Sequence, residues 1–290
     1  MAFKTIGVIG GGTMGQGIAE MLAARGLDVI LAEKTTEKLD RAIEQITVSL
    51  DKQIERWALT EAEKKLIITK IRKAESLQDM AACDMVIETI TEDLNAKKHV
   101  FFQLNQICPS SIILATNTST LSVTEIAAVT THPERVIGMH FLHPVAKINL
   151  VEVIRAMKTS DETFEQTRKF VDEIIYKKSI KVNESPGFIT TRLICTLINE
   201  ALHTLSEGVA SAEDIDTAMR IGYDFKHGPL EMCDRFGLDS VQAALEGMFR
   251  DYGDIKYRPS FLLKQMVRAG HLGTKTGEGF FRYDKDGDRL

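Results

Sequence analysis

What this chain of 290 residues lacks limits what it can be. Its four cysteines (Cys83, Cys108, Cys195 and Cys233) lie far apart and form no CxxC pair. That excludes a disulfide framework or zinc ribbon as the starting assumption and makes buried, reduced thiols the default. No uninterrupted apolar run approaches the ~20 residues that span a bilayer. The start, MAFKTIGVIGGG, runs straight into a strand pattern with no signal-peptide architecture. Excess positive charge is also missing: the formal net charge is −5, which speaks against a general nucleic-acid-binding surface. There is no internal repeat and no low-complexity segment. What remains is ordinary globular composition, 44% hydrophobic and 27% charged, expected of a soluble cytosolic protein that meets neither nucleic acid nor membrane. At about 100–200 residues per domain, the length suggests two domains or one large one.

Residues 5–9 (TIGVI) form a β-rich run, followed by Gly10, Gly11 and Gly12. A helical stretch then runs from about Met14 to Arg25, with Gly26 as its stop. Residues 28–32 (DVILA) are strand-like again and end at Glu33. Residues 36–82 read as helices. Leu39, Ile43, Ile46, Leu50 and Ile54 recur near a 3.6 period, and Thr60-Glu61-Ala62-Glu63 is a capping-box pattern that restarts a helix. Strand patterns return at 84–88, 112–115, 135–139 and 148–154, with a helical segment near 95–107. This alternation predicts an α/β fold built on a mostly parallel sheet, carrying an inserted helical hairpin. After Ser185-Pro186-Gly187 the apolar spacing turns helical, from Phe188 to about Ala269. The expected organisation is an α/β domain over 1–184 and an all-α domain over 185–290.

Gly10-x-Gly12-x-x-Gly15 follows a strand and opens a helix. Gly10 suits the tight turn, Gly12 admits a pyrophosphate close to the backbone, and Gly15 lets helix pack on strand. The helix N-terminus offers N–H groups to phosphates. Glu33, at the end of the second strand, can accept from both ribose hydroxyls and repels a 2′-phosphate, so NAD is favoured over NADP. A plain glycine turn with a solvated Glu, or an FAD-binding protein of the same Rossmann type, are the competing readings.

A hydride-transfer enzyme acting on an alcohol needs a base, and His is the usual one. Of seven histidines, His140 ends the strand GMH, where an open α/β sheet places its ligand crevice. Glu152 lies inside the apolar run LVEVI, where a carboxylate costs several kcal/mol unless paired. It either accepts from one nitrogen of His140 or points out of an edge strand. His140-x-x-His143 does not read as a metal site, because Pro144 blocks the helix that would bring the rings together and no third ligand is evident. Asn117-Thr118-Ser119 follows a strand and either faces the nicotinamide and a substrate oxygen or caps the next helix.

These residues, together with MVIETITEDLNAKK (85–98), ILATNTSTLSVTEIA (113–127), RVIGMHFLHP (135–144), SPGFITTRL (185–193), HGPLEMCD (227–234) and GTKTGEGFFRY (273–283), resemble the short-chain L-3-hydroxyacyl-CoA dehydrogenase family over nearly the whole chain. The resemblance implies NAD-dependent interconversion of an (S)-3-hydroxyacyl-CoA and its 3-oxoacyl-CoA. It implies His140 and Glu152 as the proton-transfer pair and Ser119 as an active-site hydroxyl. It places Gly10, Gly12, Thr13, Met14, Gly15, Glu33, Glu92, Lys97 and Asn117 at the cofactor. It implies that the helical domain closes over the substrate and forms a homodimer. Lys52 and Arg56 match basic positions that meet the CoA phosphates, while Glu55 stands where the family often has lysine. Two positions depart from the family pattern: His143 replaces an Asn in HFFNP, and Thr191 replaces the Asn before the Arg in PGF-x-x-N-R. The missing Asn would help polarise the 3-oxo group, so Thr191 and His143 become candidate substitutes. A dehydrogenase acting on a hydroxy acid that is not a CoA thioester, or a weakly active NAD-binding paralogue, stay open as alternatives.

Overall fold

The computed structural model describes residues 3–290. Eight short runs, most of them apolar, become strands: β1 (Thr5–Ile9), β2 (Asp28–Ala32), β3 (Ile71–Lys73), β4 (Met85–Glu88), β5 (Ile113–Thr116), β6 (Val136–Phe141), β7 (Leu150–Arg155) and β8 (Lys178–Asn183). They form one sheet in the order β3-β2-β1-β4-β5-β6-β7-β8. β1 to β6 are parallel, β7 is antiparallel to β6, and β8 is parallel to β7. The central strands β4, β5 and β6 are buried at every position. They can be continuously apolar because helices cover both faces of a parallel sheet. The helices of this part are α1 (Thr13–Ala24), α2 (Thr36–Glu55), α3 (Glu61–Thr69), α4 (Leu94–Ile107), α5 (Val123–Ala127) and α6 (Asp161–Lys169). Ile6, Val8, Ile18, Leu22, Leu31, Ile87, Ile137, Met139, Val153 and Phe170 belong to its core. The expected α/β class with an inserted helical hairpin, α2 and α3, is what forms. The capping box at Thr60 and Glu63 starts α3 as its sequence predicts.

Two elements escaped the sequence pattern. The expectation of helix throughout 36–82 fails at β3, which pairs with β2 at the sheet edge and has three residues, too few for a pattern to emerge. The β8 run KSIKVN was not foreseen, because its polar residues suit the opposite edge of the sheet rather than its centre.

The topology decides where a ligand can sit. From β1 the chain moves to β2 and β3 on one side, then returns to β4, β5 and β6 on the other. Connections leaving β1 and β4 diverge, and the crevice opens at the carboxyl ends of the strands. Gly10, Glu33, Glu88, Asn117 and His140 all stand at or just beyond those ends.

The chain divides into two compact units, Met1–Ser185 and Pro186–Leu290. In the second, α7 (Thr190–Ser206), α8 (Ala212–Tyr223), α9 (Pro229–Phe236), α10 (Leu238–Tyr252) and α11 (Phe261–Ala269) enclose Ile198, Leu202, Leu230, Leu245, Met248 and Leu263. Asp234 of α9 ties down the C-terminal segment. Its carboxylate accepts from the Phe280 and Phe281 N–H groups and the Tyr283 hydroxyl, each at 2.9 Å. A Cβ at Gly279 would fall 1.9 Å from Asp234 Oδ1, so glycine is what lets the segment approach. Burial pushes the Asp234 carboxyl up to about 6, against those three donors. No helix among the described residues is long and apolar enough to cross a membrane.

Candidate active site

The three motif glycines serve three different needs. Gly10 has φ +102° and lies against the backbone of Thr89 and Ile90, where a Cβ would come within 2.9 Å. A Cβ on Gly15 would stand 1.8 Å from the Gly10 carbonyl oxygen, so this glycine is required by packing of α1 on β1. Gly12 is different: a Cβ there meets nothing within 4 Å. No protein group requires its bareness, whereas a pyrophosphate lying against the backbone would. Gly12 is also the N-cap of α1 and supplies no side-chain cap, and no acid sits in the first turn, so the first N–H groups are available to an anion. Thr13 and Met14 form that first turn. Glu33 accepts from the Gly11 N–H at 2.8 Å through Oε1 and from the Lys34 N–H at 2.8 Å through Oε2. The acid beyond β2 is thereby drawn over the glycine loop. These features fit the adenosine and pyrophosphate of NAD.

At the end of β4 a buried ion pair braces the loops. Lys97 Nζ donates to Glu88 Oε1 at 2.7 Å, and both side chains are 0% exposed. Thr116 Oγ1 donates to Glu88 Oε2 at 2.6 Å and the Ile90 N–H to Oε1 at 2.7 Å. Burial raises the Glu88 carboxyl above its ordinary value, and Lys97 acts in the opposite direction. Lys97 Nζ also lies 3.4 Å from the carbonyl oxygens of Ile90 and Asn117. The contacts of Lys97, expected at the cofactor, are therefore internal. Glu92, exposed at the rim, receives the Thr118 hydroxyl at 2.5 Å, the Ser119 N–H at 2.9 Å and the Thr120 N–H at 3.2 Å on Oε1, with Oε2 3.7 Å from Lys97. Glu92 and Lys97 thus hold the loop that carries Ser119. Asn117 bridges two strand ends: its N–H donates to the Glu88 carbonyl at 2.7 Å and its Oδ1 accepts from the Phe141 N–H at 3.0 Å.

β6 and β7 pair antiparallel with His140 directly opposite Glu152. Directly opposed residues of such a pair present their side chains on the same face. Nδ1 of His140 lies 2.5 Å from Glu152 Oε2, and the Glu152 side chain is 0% exposed. Because a carboxylate can only accept, Nδ1 carries the proton and Nε2 is left to accept. Ser119 Oγ stands 3.1 Å from Nε2. Of the alternatives left by the sequence, the buried, paired Glu152 is the one the structure contains. Ser119 from the loop after β5, His140 near the end of β6 and Glu152 within β7 form one connected line.

His143 follows β6 and is exposed, yet desolvation by the surrounding protein holds its imidazole below the ordinary value. Thr191 lies in the first turn of α7, within the second unit. Lys52 and Arg56 stand exposed near the end of α2. No group of three or more metal-binding side chains occurs among the described residues, and the four cysteines are free and buried.

Sequence reasoning missed Glu88 and Thr116. The signal was available: an acid closing the apolar run MVIE is as costly unpaired as one inside LVEVI.

Residues 5–185 match the model for the NAD binding domain of 3-hydroxyacyl-CoA dehydrogenase, and residues 187–283 match that for its C-terminal domain. A probable 3-hydroxybutyryl-CoA dehydrogenase of Bacillus subtilis is 41% identical over 285 residues, which cover 98% of this chain and 99% of the relative. The 3-hydroxybutyryl-CoA dehydrogenase of Clostridioides difficile is 41% identical over 280 residues, covering 97% and 99%. Among solved structures, that of (S)-3-hydroxybutyryl-CoA dehydrogenase from Ralstonia eutropha superposes with a TM-score of 0.92 at 40% identity, covering 98% of this chain and 100% of that one.

Proposed function

The chain belongs to the 3-hydroxyacyl-CoA dehydrogenase family and is an NAD-dependent enzyme of that kind; from this premise we propose that it interconverts (S)-3-hydroxybutyryl-CoA and acetoacetyl-CoA, with His140 and Glu152 moving the proton. The four-carbon substrate follows the names of relatives about 41% identical over almost the full chain. The observation that carries the proton-transfer reading is the line Ser119 Oγ, His140 Nε2, His140 Nδ1, Glu152 Oε2, with steps of 3.1 and 2.5 Å.

NAD supplies the acceptor for the hydride that leaves C3. The protein manages the proton. As C3 becomes a carbonyl, Nε2 of His140 takes the hydroxyl proton, and the imidazolium that forms faces the buried Glu152 carboxylate. Ser119, held by Glu92, orients the C3 oxygen toward Nε2. In the reverse direction the imidazolium returns the proton to the developing alkoxide. A positioned base of this kind contributes roughly 100- to 10,000-fold.

His140→Gln is the direct test. It lowers turnover of acetoacetyl-CoA about 1,000-fold while NADH still binds; near-normal turnover would remove His140 from the base role.

The same reading includes a homodimer through the helical unit. Leu193, Ile221, Tyr223 and Phe261 are large, exposed apolar side chains on its helices, and burying such surface is a common reason for a symmetric dimer. Sedimentation velocity of the full chain decides it, a monomer at micromolar concentration being the adverse result.

A further inference from the structure

The end of α2 closes in a Schellman turn. The Trp57 N–H donates to the Ile54 carbonyl at 2.9 Å, and the Ala58 N–H to the Gln53 carbonyl at 2.9 Å. Such a turn places its first residue past the helix in the left-handed region, which favours glycine because a Cβ crowds the following carbonyl. Here that residue is the single tryptophan of the chain, at φ +57°. Its side chain is 95% exposed. It has no aromatic or cation–π partner among the described residues. The largest side chain therefore stands where the backbone prefers none and where burial returns nothing. Neither turn geometry nor packing within the chain accounts for it.

Two cations precede it. Lys52 and Arg56 lie one helical turn apart, both exposed, and neither joins a salt bridge among the described residues. Of the nearby acids, Asp51 is already engaged by Lys64, which leaves Glu55 against the two cations. An open aromatic face beside unpaired cations is the chemistry that receives a purine nucleotide: the base stacks and the phosphates are neutralised.

We propose that Trp57 stacks on the adenine of the CoA thioester, with Lys52 and Arg56 at its phosphates, making Trp57 a specificity-determining residue for CoA over shorter thiol carriers. The proposal rests on the acyl-CoA reading above and adds to it a residue that distinguishes one handle from another. No bond is made or broken at this end of the substrate, so the effect falls on KM rather than on kcat.

A single tryptophan makes the test direct. In the full chain, adenosine 3′,5′-bisphosphate quenches Trp57 emission in a saturable way and pantetheine does not. In Trp57→Gly, kcat/KM for acetoacetyl-CoA falls about ten-fold relative to acetoacetyl-pantetheine, and Trp57→Tyr recovers most of the loss. Because glycine suits the left-handed turn, Trp57→Gly melts no lower than the parent protein; a lower midpoint would mark Trp57 as a structural residue and overturn the proposal. Unquenched emission with an unaltered preference between the two thioesters overturns it as well, as does saturable quenching by NAD in place of the bisphosphate. If neither thioester is turned over, the dehydrogenase reading is what fails, and the quenching experiment still decides the role of Trp57.

Discussion

Oγ of Ser119 stands 3.1 Å from Nε2 of His140, on the ring edge opposite the one that meets Glu152. The imidazole is held from both sides, by the Ser119 hydroxyl and by a carboxylate that is fully buried. Exchanging that carboxylate for an amide keeps the volume and removes the charge that faces the imidazolium. Glu152→Gln accordingly lowers kcat about 100-fold or more in both directions, with NADH affinity unchanged by fluorescence titration. An unaltered kcat would show that Glu152 has no part in proton transfer.

Gly12 and Gly15 separate binding from folding. Alanine at 15 drives a Cβ to 1.8 Å from the Gly10 carbonyl, so Gly15→Ala loses about 1–3 kcal/mol of stability together with cofactor binding. Alanine at 12 meets open space at an ordinary φ of −74°. Gly12→Ala therefore keeps its melting temperature within a few degrees and weakens NAD at least ten-fold, read by calorimetry. Equal affinity in Gly12→Ala would remove the pyrophosphate from that place.

Asp234 predicts a pH dependence of unusual sign for an acid. Burial raises its folded-state value to about 6, from 3.8. Between those values the folded state holds a proton that the unfolded state has released, so this group's contribution to stability declines as pH rises from 4 to 6 and levels off above. Asp234→Asn does not titrate. The stability difference between parent and variant shrinks by about 2 kcal/mol across that window, measured by denaturant unfolding at each pH. A difference that grows with pH would mean the three donors outweigh the burial.

Thr191 stands where the family pattern has an Asn expected to donate to the 3-oxo group. Threonine is shorter and has one donor. If the departure only weakens polarisation, Thr191→Asn raises turnover of acetoacetyl-CoA about 10- to 100-fold. A loss would mean that the pocket is arranged around the threonine.

Much of this was legible beforehand because it depends on local chemistry. The glycine spacing, the strand before it and the acid after the next strand are covalently close, and each has one physical reason to occur there. The apolar runs declared the sheet. β3 and β8 did not declare themselves, since edge strands are short or polar by necessity. Glu88 declared itself only by its cost as an acid closing an apolar run, and its partner Lys97 is fixed by how α4 packs beside β4. Trp57 carried no pattern, since its left-handed φ and its exposure are tertiary facts.

Residue type and spacing by themselves pointed to a dinucleotide with NAD favoured, to the central strands and the helical hairpin between them, and to which histidine stood at a strand end. Whether Glu152 faced the ring of His140 or solvent was not theirs to decide. That depended on β7 pairing antiparallel to β6 in the register that sets residue 152 against residue 140. A one-residue slip would carry every side chain of the strand to the other face and leave the acid without its imidazole. Register is set by the packing of the whole sheet, and so the contact between His140 and Glu152 is a product of the tertiary structure.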